Sequence, residues 1–228
     1  MFVSVVIPAL NEEEPIADVV RGCLATGISR EVIVVDNGST DRTAERAREA
    51  GARVVDAPRG YGNACAAGVA AVSTECEIIV FLDGDGSDCP ELMDQLVRPI
   101  VENTHDFVIG SRTRGQREPG SMNAQQVFAG YLAGWLIRPL YGVKYTDMCP
   151  FRAIRRDTLA KLGMKEQTYG WNLEMQMRVA RAGLRILEIP VSHRCRTGGE
   201  SKVSGTLRGT FVAGTRIMAT LFRVASER

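Results

Sequence analysis

The sequence predicts an α/β fold in which a mostly parallel sheet is flanked by helices within a single domain. Short segments that are apolar at nearly every position alternate with stretches of helical pattern through the first half of the chain. Strands of this kind are typical of parallel sheets with both faces covered. The 228 residues are 45% hydrophobic, which is enough for one domain with a sizeable core.

The first half alternates regularly between strand and helix patterns. We expect strands at Val3–Ile7, Val32–Val35, Arg53–Ala57 and Ile78–Leu82. We expect helices from about Glu13 to Ala25, from the cap residues Ser39-Thr40-Asp41 to about Ala50, and over Tyr61–Val72. This order predicts successive strand–helix–strand units.

The second half is less regular. We expect strands at Phe107–Gly110 and Arg185–Val191, a polar loop over Arg194–Ser204, and helices over Met122–Pro139, Trp171–Ala182 and Val203–Val224. No repeat, low-complexity tract or linker interrupts the chain, so we expect one domain over residues 1–228.

The amino-acid composition disfavours several classes of protein. A net charge of +1 with 24% charged residues disfavours nucleic-acid binding. Six cysteines without a CxxC pair and only two histidines disfavour a Cys/His zinc cluster. No secretory signal and no apolar run long enough to span a membrane is evident, so we expect a cytoplasmic protein in a reducing compartment.

Four polar segments each follow a predicted strand. The carboxyl ends of parallel strands meet at one edge of the sheet, where ligands of such folds bind. We therefore expect the four segments to lie along one rim and to line one cleft. They are Pro8–Glu12, Asp36–Ser39, Arg59–Gly62 and Asp83–Asp85.

The strongest chemical signal is Asp83-Gly84-Asp85, directly after an apolar strand. Two carboxylates in one turn can share Mg²⁺ or Mn²⁺, which prefer oxygen ligands and leave coordination sites for phosphates. The alternative is a turn in which Asp caps the next helix. A calcium loop of the EF-hand type is disfavoured, because Asp88 occupies its glycine position and Asp94 its terminal glutamate position.

Three other segments are ambiguous when taken alone. Asp36 can bind a base or ribose or cap its strand, and Asn11-Glu12 has the same ambiguity. Gly62 lets the backbone approach a ligand closely. The loop Arg194–Lys202 either closes over a pyrophosphate or is a solvated surface loop. No GxGxxG follows the first strand and no P-loop is present, which disfavours a dinucleotide oxidoreductase and a P-loop ATPase.

Eight short segments in order carry a resemblance to a known family. They read VVIPALNEE, VVDNGSTD, RGYGNACAAG, FLDGDGSDCPE, GSR, TDMCPFRAIRRDTL, YGWNLEMQ and RTGGESK. Together they resemble glycosyltransferase family 2, and within it the polyprenyl-phosphate branch that includes dolichyl-phosphate mannose synthase. The resemblance implies a Rossmann-like GT-A fold, a UDP- or GDP-linked sugar donor and inversion at the anomeric carbon.

The resemblance also implies roles for individual residues. Asp83 and Asp85 match the DxD metal motif, and Arg112 matches a residue near the acceptor phosphate. The nucleotide pocket and the loop that closes over the donor are matched by Pro8, Ala9, Asn11, Glu12, Asp36, Arg196, Ser201 and Lys202. On this basis residues 1–110 form the donor half, 111–202 the acceptor half and 203–228 a C-terminal helix.

The acceptor decides whether the reaction needs a base. We expect polyprenyl phosphate, whose anionic oxygen needs positioning by Arg112 and not deprotonation. A soluble hydroxyl acceptor would need a general base, for which Glu174 is the candidate; its alternative role is a structural salt-bridge partner. A non-catalytic nucleotide-sugar-binding protein is a further alternative.

The C-terminal helix has three possible contacts. It can lie on the cytoplasmic face of a membrane, pack on its own domain, or pack on a second subunit of a homo-oligomer.

Overall fold

The computed structural model describes residues 1–198 and 207–227. Within these residues the chain forms seven strands and eight α-helices. The strands are β1 (Val3–Ala9), β2 (Ser29–Asp36), β3 (Arg53–Asp56), β4 (Ile78–Phe81), β5 (Phe107–Ser111), β6 (Arg152–Arg155) and β7 (Ile186–Pro190). The helices are α1 (Ile16–Ala25), α2 (Thr43–Glu49), α3 (Tyr61–Ala71), α4 (Met93–Val101), α5 (Ala124–Tyr141), α6 (Arg156–Leu162), α7 (Trp171–Arg181) and α8 (Leu207–Ser226).

All seven strands form one sheet in the order β3-β2-β1-β4-β6-β5-β7. Only β6 is antiparallel to its neighbours β4 and β5. The prediction of a mostly parallel α/β sheet with flanking helices is therefore confirmed. Helices α1, α2 and α3 pack against the β1–β3 side of the sheet, and α4 packs against β4, β5 and β6.

The first half is built around strands that are buried along their length. Every residue of β1 and β4 is buried, as the near-continuous apolar pattern predicted. The alanine-rich α3 lies close to the sheet, because a Cβ added at Gly68 would stand 2.3 Å from a methyl group of Val6. This close approach fixes the positions of the loops that follow the strands.

Three elements of the described structure were missed by the sequence analysis, namely α4, β6 and α6. Strand β6 reads RAIR, and its first arginine does not resemble a core residue. Arg152 is nevertheless fully buried, with its guanidinium donating to the carbonyl oxygens of Pro150 (3.3 Å) and Asn172 (3.1 Å). A local sequence pattern does not show that these carbonyl oxygens, of which Asn172 is 20 residues away, will accept from Arg152.

The described part of α8 packs on α7. Thr220, Leu221 and Val224 are buried there, whereas Phe222 is exposed. This is the packing expected of a helix that covers its own domain. Of the helices described, none combines the length and the apolar character needed to cross a membrane.

Candidate active site

The loops that follow β1 to β4 open onto one cavity of about 490 Å³. Because the strands are parallel and in register, Ala9 lies opposite Asp36, and Asp36 opposite Asp56, at their carboxyl ends. All four predicted segments contribute side chains or backbone to the lining, so the prediction of a single cleft is confirmed. These lining residues are Pro8, Ala9, Leu10, Glu12, Asn37, Arg59, Gly60, Tyr61, Asp83, Gly84 and Asp85.

Three carboxylates gather at the end of β4. The Tyr61 hydroxyl donates to Asp83 Oδ1 (3.0 Å), and the Asp83 amide donates to Asp88 Oδ2 (3.0 Å). Burial, followed by the charges of Asp88 and Asp85, raises the pKa of Asp83 to about 8. Burial also raises the pKa of Asp88 to about 7. A cation placed here would relieve both the burial cost and the mutual repulsion.

Asp83 and Asp85 are the best candidates for metal ligands at this site. Asp85 Oδ1 accepts hydrogen bonds from the Ser87 amide (3.0 Å) and hydroxyl (2.6 Å), which fix the orientation of the carboxylate. In the part of the chain that the structure describes, no three His, Cys, Asp or Glu side chains form a ready-made metal cage. A two-carboxylate site completed by phosphate oxygens and water fits Mg²⁺ or Mn²⁺.

His193 is a cavity residue that the sequence analysis missed. It is buried, and its Nδ1 lies 3.8 Å from Asp88 Oδ1, with neither atom hydrogen-bonded. Burial, with the charge of Arg112, lowers the pKa of His193 to about 4, so the ring is neutral at pH 7. A neutral, unpartnered imidazole beside the carboxylates is suited to binding a metal or a donor group. Its signal in the sequence is only its place just before the Arg194–Lys202 loop.

The described part of that loop lies over the carboxylate turn. The Thr197 amide donates to the Asp85 carbonyl (3.1 Å), and the Arg194 amide donates to the Ser87 carbonyl (2.9 Å). Arg196 lines the cavity and its Nη2 donates to both carboxylate oxygens of Glu12, at 2.8 and 3.1 Å.

The loop is therefore placed against the predicted donor side of the cavity. Its other two predicted contact residues, Ser201 and Lys202, lie outside the described residues.

Arg112 also lines the cavity, but its charge is already paired. Its Nε and Nη2 donate to the two carboxylate oxygens of Asp147, both at 2.8 Å. Burial opposes ionisation of Asp147, yet the hydrogen bonds and charge of Arg112 outweigh it and lower the pKa of Asp147. The pair fixes Arg112 at the end of β5, facing the cavity beside the carboxylate turn.

The remaining wall of the cavity is polar and contains no carboxylate. It is formed by Gly120, Ser121, Asn123, Gln126 and Tyr169. Asn123 caps α5, since its side chain accepts from the Gln126 amide (2.8 Å) while the Gln126 side chain accepts from the Asn123 amide (2.9 Å). The start of α5 therefore forms part of the cavity wall.

Three predicted pocket residues have structural contacts. Asp36 Oδ1 accepts the Ser39 amide (3.1 Å), and Asn11 Oδ1 accepts the Thr40 amide (2.8 Å), so both organise the turn after β2. Neither lines the cavity. A Cβ at Gly62 would stand 2.1 Å from the carbonyl oxygen of Glu166, so this glycine permits close approach of protein backbone and not of a ligand.

Glu174 does not line the cavity. It is fully buried, and its Oε1 accepts from Arg178 Nε (2.9 Å) and Arg223 Nη1 (3.0 Å). Its Oε2 accepts the amides of Lys165 (3.0 Å) and Glu166 (2.6 Å). These contacts match the structural salt-bridge alternative, and the carboxylate lacks access to an acceptor in the cavity.

Comparisons with known proteins agree with this architecture. The family model described as glycosyl transferase family 2 matches residues 4–163. An uncharacterised glycosyltransferase of Mycobacterium tuberculosis is 39% identical over 216 residues, covering 92% of this chain and 94% of its own length. An undecaprenyl-phosphate mannosyltransferase of Micrococcus luteus is 32% identical over 232 residues, with 93% and 91% covered.

Solved structures share the whole fold. The chain matches glucosyl-3-phosphoglycerate synthase of Mycobacterium tuberculosis, in complex with Mn²⁺, uridine-diphosphate-glucose and phosphoglyceric acid, with a TM-score of 0.80 at 26% identity. The match covers 100% of this chain and 80% of that one.

Proposed function

Because this chain belongs to glycosyl transferase family 2, we propose that it moves a sugar from a nucleoside diphosphate to the phosphate of a polyprenyl phosphate, with inversion. The observation that carries the proposal is the half-buried Asp83/Asp85 pair, which lies beside the buried Asp88 in a cavity at the carboxyl ends of parallel strands. In the mycobacterial synthase a comparable fold binds Mn²⁺ and uridine-diphosphate-glucose, which supports Mn²⁺ or Mg²⁺ and a uridine donor here.

The donor half, residues 1–110, supplies the nucleotide contacts. We assign Pro8, Ala9 and Glu12 to the pocket wall, with Asn11 and Asp36 holding the turn beside it. A divalent ion on Asp83 and Asp85 would stabilise the negative charge of the departing diphosphate. Arg196 lies across the same space and contributes a second positive charge once the diphosphate competes with Glu12 for its guanidinium. Ser201 and Lys202 belong to the proposed closing loop.

The acceptor half, residues 111–202, favours a nucleophile that needs no base. Among the described residues, the acids that line the cavity are Glu12, which pairs with Arg196, and the proposed metal ligands Asp83 and Asp85. His193 is a weak base with its pKa near 4. A phosphate oxygen is already anionic near pH 7, since its second pKa is about 6. Arg112 would orient it, and the oxygen would attack the anomeric carbon as the bond to the diphosphate breaks.

A hydroxyl acceptor is the second candidate, supported by the phosphoglyceric acid bound to the mycobacterial synthase. Both candidate acceptors carry a phosphate group that Arg112 could contact. Incubating the enzyme with UDP-glucose, Mn²⁺ and either a polyprenyl phosphate or 3-phosphoglycerate separates the two. Product formed only from 3-phosphoglycerate would reject the lipid acceptor.

Donor choice can be measured independently of the acceptor. Thermal-shift screening of UDP- and GDP-linked sugars, with and without Mn²⁺, should show stabilisation that requires both a uridine donor and metal. Equal stabilisation by a GDP-sugar would overturn the choice of uridine as the nucleoside of the donor.

The metal role of the carboxylates is tested by Asp85→Ala. Loss of a positioned charge-stabilising group typically costs about 100- to 1000-fold in rate, and we expect a loss of this size in sugar transfer. Asp94→Ala is the matched control, because Asp94 is an exposed carboxylate of α4 paired with Arg98 and should leave transfer unchanged. Near-normal transfer by Asp85→Ala in the presence of a chelator would refute the proposal.

A further inference from the structure

We infer that the outward side of α5 is a membrane-binding surface that holds the protein on anionic lipid. We call this surface the aromatic face and define it as Phe128, Tyr131 and Trp135. The inference rests on the proposed function, since a polyprenyl phosphate is embedded in a lipid layer and the enzyme must reach its phosphate there.

The aromatic face is unusually exposed for side chains of this size. Phe128 is 66% exposed, Tyr131 49% and Trp135 71%. Their spacing of i, i+3 and i+7 places all three on one side of α5. Contiguous exposed apolar side chains commonly mark an interaction surface, and Trp and Tyr are enriched where proteins meet the lipid headgroups.

The packing of α5 prevents the aromatic face from turning inward. The opposite side of the helix carries the buried residues Gly130, Ala133, Gly134 and Ile137. A Cβ added at Gly134 would stand 2.0 Å from the Tyr145 carbonyl oxygen, so the helix lies directly on this backbone. A side chain larger than glycine has no room there, and the three aromatic residues therefore stay on the outer side.

Charge along α5 suits an anionic surface. The helix has no Asp or Glu, and its only charged residue is Arg138, which is exposed one turn beyond Trp135. Lys144 is exposed shortly after the helix ends. Each basic residue near an anionic membrane contributes roughly 1 kcal/mol of attraction, about a fivefold gain in binding.

The aromatic face and part of the cavity wall belong to the same helix. Asn123 and Gln126, at the start of α5, line the cavity, and Phe128 comes half a turn after Gln126. From Phe128 to Trp135 the helix advances about 10 Å. A lipid surface in contact with this face would therefore lie along the same helix whose first turn forms the wall that we assign to the acceptor.

The exposed area of the aromatic face favours lipid over a second copy of the chain as its binding partner. Three aromatic side chains at these exposures offer on the order of 400 Å² of apolar surface. A stable protein interface needs about 800 Å² from each partner. An interfacial helix needs less, because the lipid adapts to its shape and electrostatic attraction adds to the binding.

The test uses the full chain, vesicles and intrinsic fluorescence. The chain has two tryptophans, and Trp171 is 3% exposed, so a change in emission on adding vesicles reports Trp135. We expect a blue shift and co-flotation with vesicles of phosphatidylglycerol and phosphatidylcholine in equal parts, and neither with phosphatidylcholine alone. An unchanged emission spectrum with no flotation on the anionic vesicles would overturn the inference.

Substitutions on α5 test whether the aromatic face is the surface that binds lipid. The triple variant Phe128→Ser, Tyr131→Ser, Trp135→Ser should lose flotation, and Arg138→Glu should weaken it on the order of tenfold. Leu140→Ser is the matched control, since Leu140 is exposed on α5 but lies outside the aromatic face. Unfolding and donor-binding measurements confirm that each variant is folded. Flotation of the triple variant to the same extent as the wild-type protein would refute the inference. It would also be refuted if the wild-type protein sedimented as a dimer and the triple variant as a monomer, because the aromatic face would then bind a second copy of the chain.

A second readout separates this inference from the proposed function. Transfer to a short-chain polyprenyl phosphate dissolved in detergent should be unchanged in the triple variant, while transfer to the same lipid in anionic vesicles should fall at least in proportion to flotation. Flotation by wild type without transfer to either form would overturn the polyprenyl acceptor and leave the membrane surface supported. Equal rates of transfer to the vesicle-bound lipid by the wild-type protein and the triple variant would overturn the role of the aromatic face.

Discussion

The two halves of the molecule differ in how their carboxylate clusters are paired. At the end of β4, Asp83, Asp85 and Asp88 lie together, and burial with the charges of Asp88 and Asp85 raises the pKa of Asp83 to about 8. Around α7, by contrast, Glu174 is surrounded by two arginines and two backbone amides. Glu174 is fully buried, and Asp88 is buried beside the half-buried Asp83 and Asp85, but among the described residues only the Glu174 cluster pairs its carboxylate with arginines.

The difference shows which carboxylates are free to act on a ligand. A buried charge with all its partners inside the protein stabilises one conformation of the chain. A buried cluster of like charge instead costs stability and is retained where an external ion or substrate relieves it. By this criterion we propose that the carboxylates at the end of β4 act on the ligand, whereas Glu174 holds the 165–166 segment in place.

The largest effect that this comparison predicts is the loss of stability in Glu174→Gln. Removing one partner of a buried ion pair costs about 3–5 kcal/mol of unfolding free energy, and here Arg178 and Arg223 each lose one of their carboxylate partners. Denaturant unfolding measures the change. The pH profile of transfer by the folded fraction should keep its shape, because the carboxylate does not reach the cavity.

Glu45→Gln is the matched control for this prediction. Glu45 pairs with Arg42 three residues earlier on the surface, and both side chains are more than half exposed, so its unfolding midpoint should not move. A Glu174→Gln protein with wild-type stability but an altered pH profile would restore Glu174 as a candidate base and break the comparison.

The sequence predicted the first cluster and missed the partners of the second for a physical reason. Local apolar runs fix β1 to β4, and parallel pairing then forces the segments that follow them, including Asp83–Asp85, to one edge. Glu174 and Arg223 are 49 residues apart, and Arg112 and Asp147 are 35 apart. Such pairs depend on how helices and loops pack, which no local pattern records.

The same limit applies to individual elements. Strand β6 was missed because its first residue is an arginine, and the local pattern does not show that the buried Arg152 donates to the carbonyl oxygens of Pro150 and Asn172. His193 was missed as a site residue because a single histidine in a loop has no spacing that indicates metal or phosphate. Arg112, however, could be placed at the end of a predicted strand, and the structure confirms its position in the cavity.

The pH dependence of the metal-free protein is the second prediction, with an effect on the order of 3 kcal/mol. In the folded state the pKa of Asp83 is raised to about 8, well above the ordinary value of an aspartate, by burial and by the charges of Asp88 and Asp85. The folded state therefore binds the proton more tightly than the unfolded chain, and this contribution to stability is complete below pH 4 and lost as the pH rises toward 8.

Asp83→Asn isolates that contribution, because it removes the charge and keeps an oxygen to accept from Tyr61. With a chelator present, the variant should become progressively more stable than wild type between pH 5 and 8, as measured by thermal melting. Saturating Mn²⁺ with UDP should remove most of this gain, since the ion stabilises the ionised wild-type carboxylate. A constant difference between the two proteins across this range would contradict the assignment of uncompensated charge.

The smallest effect concerns the contact between the two halves at Gly62. An alanine there would place its Cβ 2.1 Å from the Glu166 carbonyl oxygen, in the segment held by Glu174. Overpacking of this kind costs about 1–3 kcal/mol, and we expect weaker donor binding as well, because α3 begins at the cavity wall beside Tyr61.

Gly22→Ala is the matched control, since its Cβ, on α1, would meet only the Pro90 ring, at 3.4 Å. Helix propensity predicts that this substitution raises the stability by about 0.5–1 kcal/mol. If both variants bound UDP with wild-type affinity in calorimetry, the Glu174 segment would support the fold without shaping the donor site, and the two halves would be energetically separate.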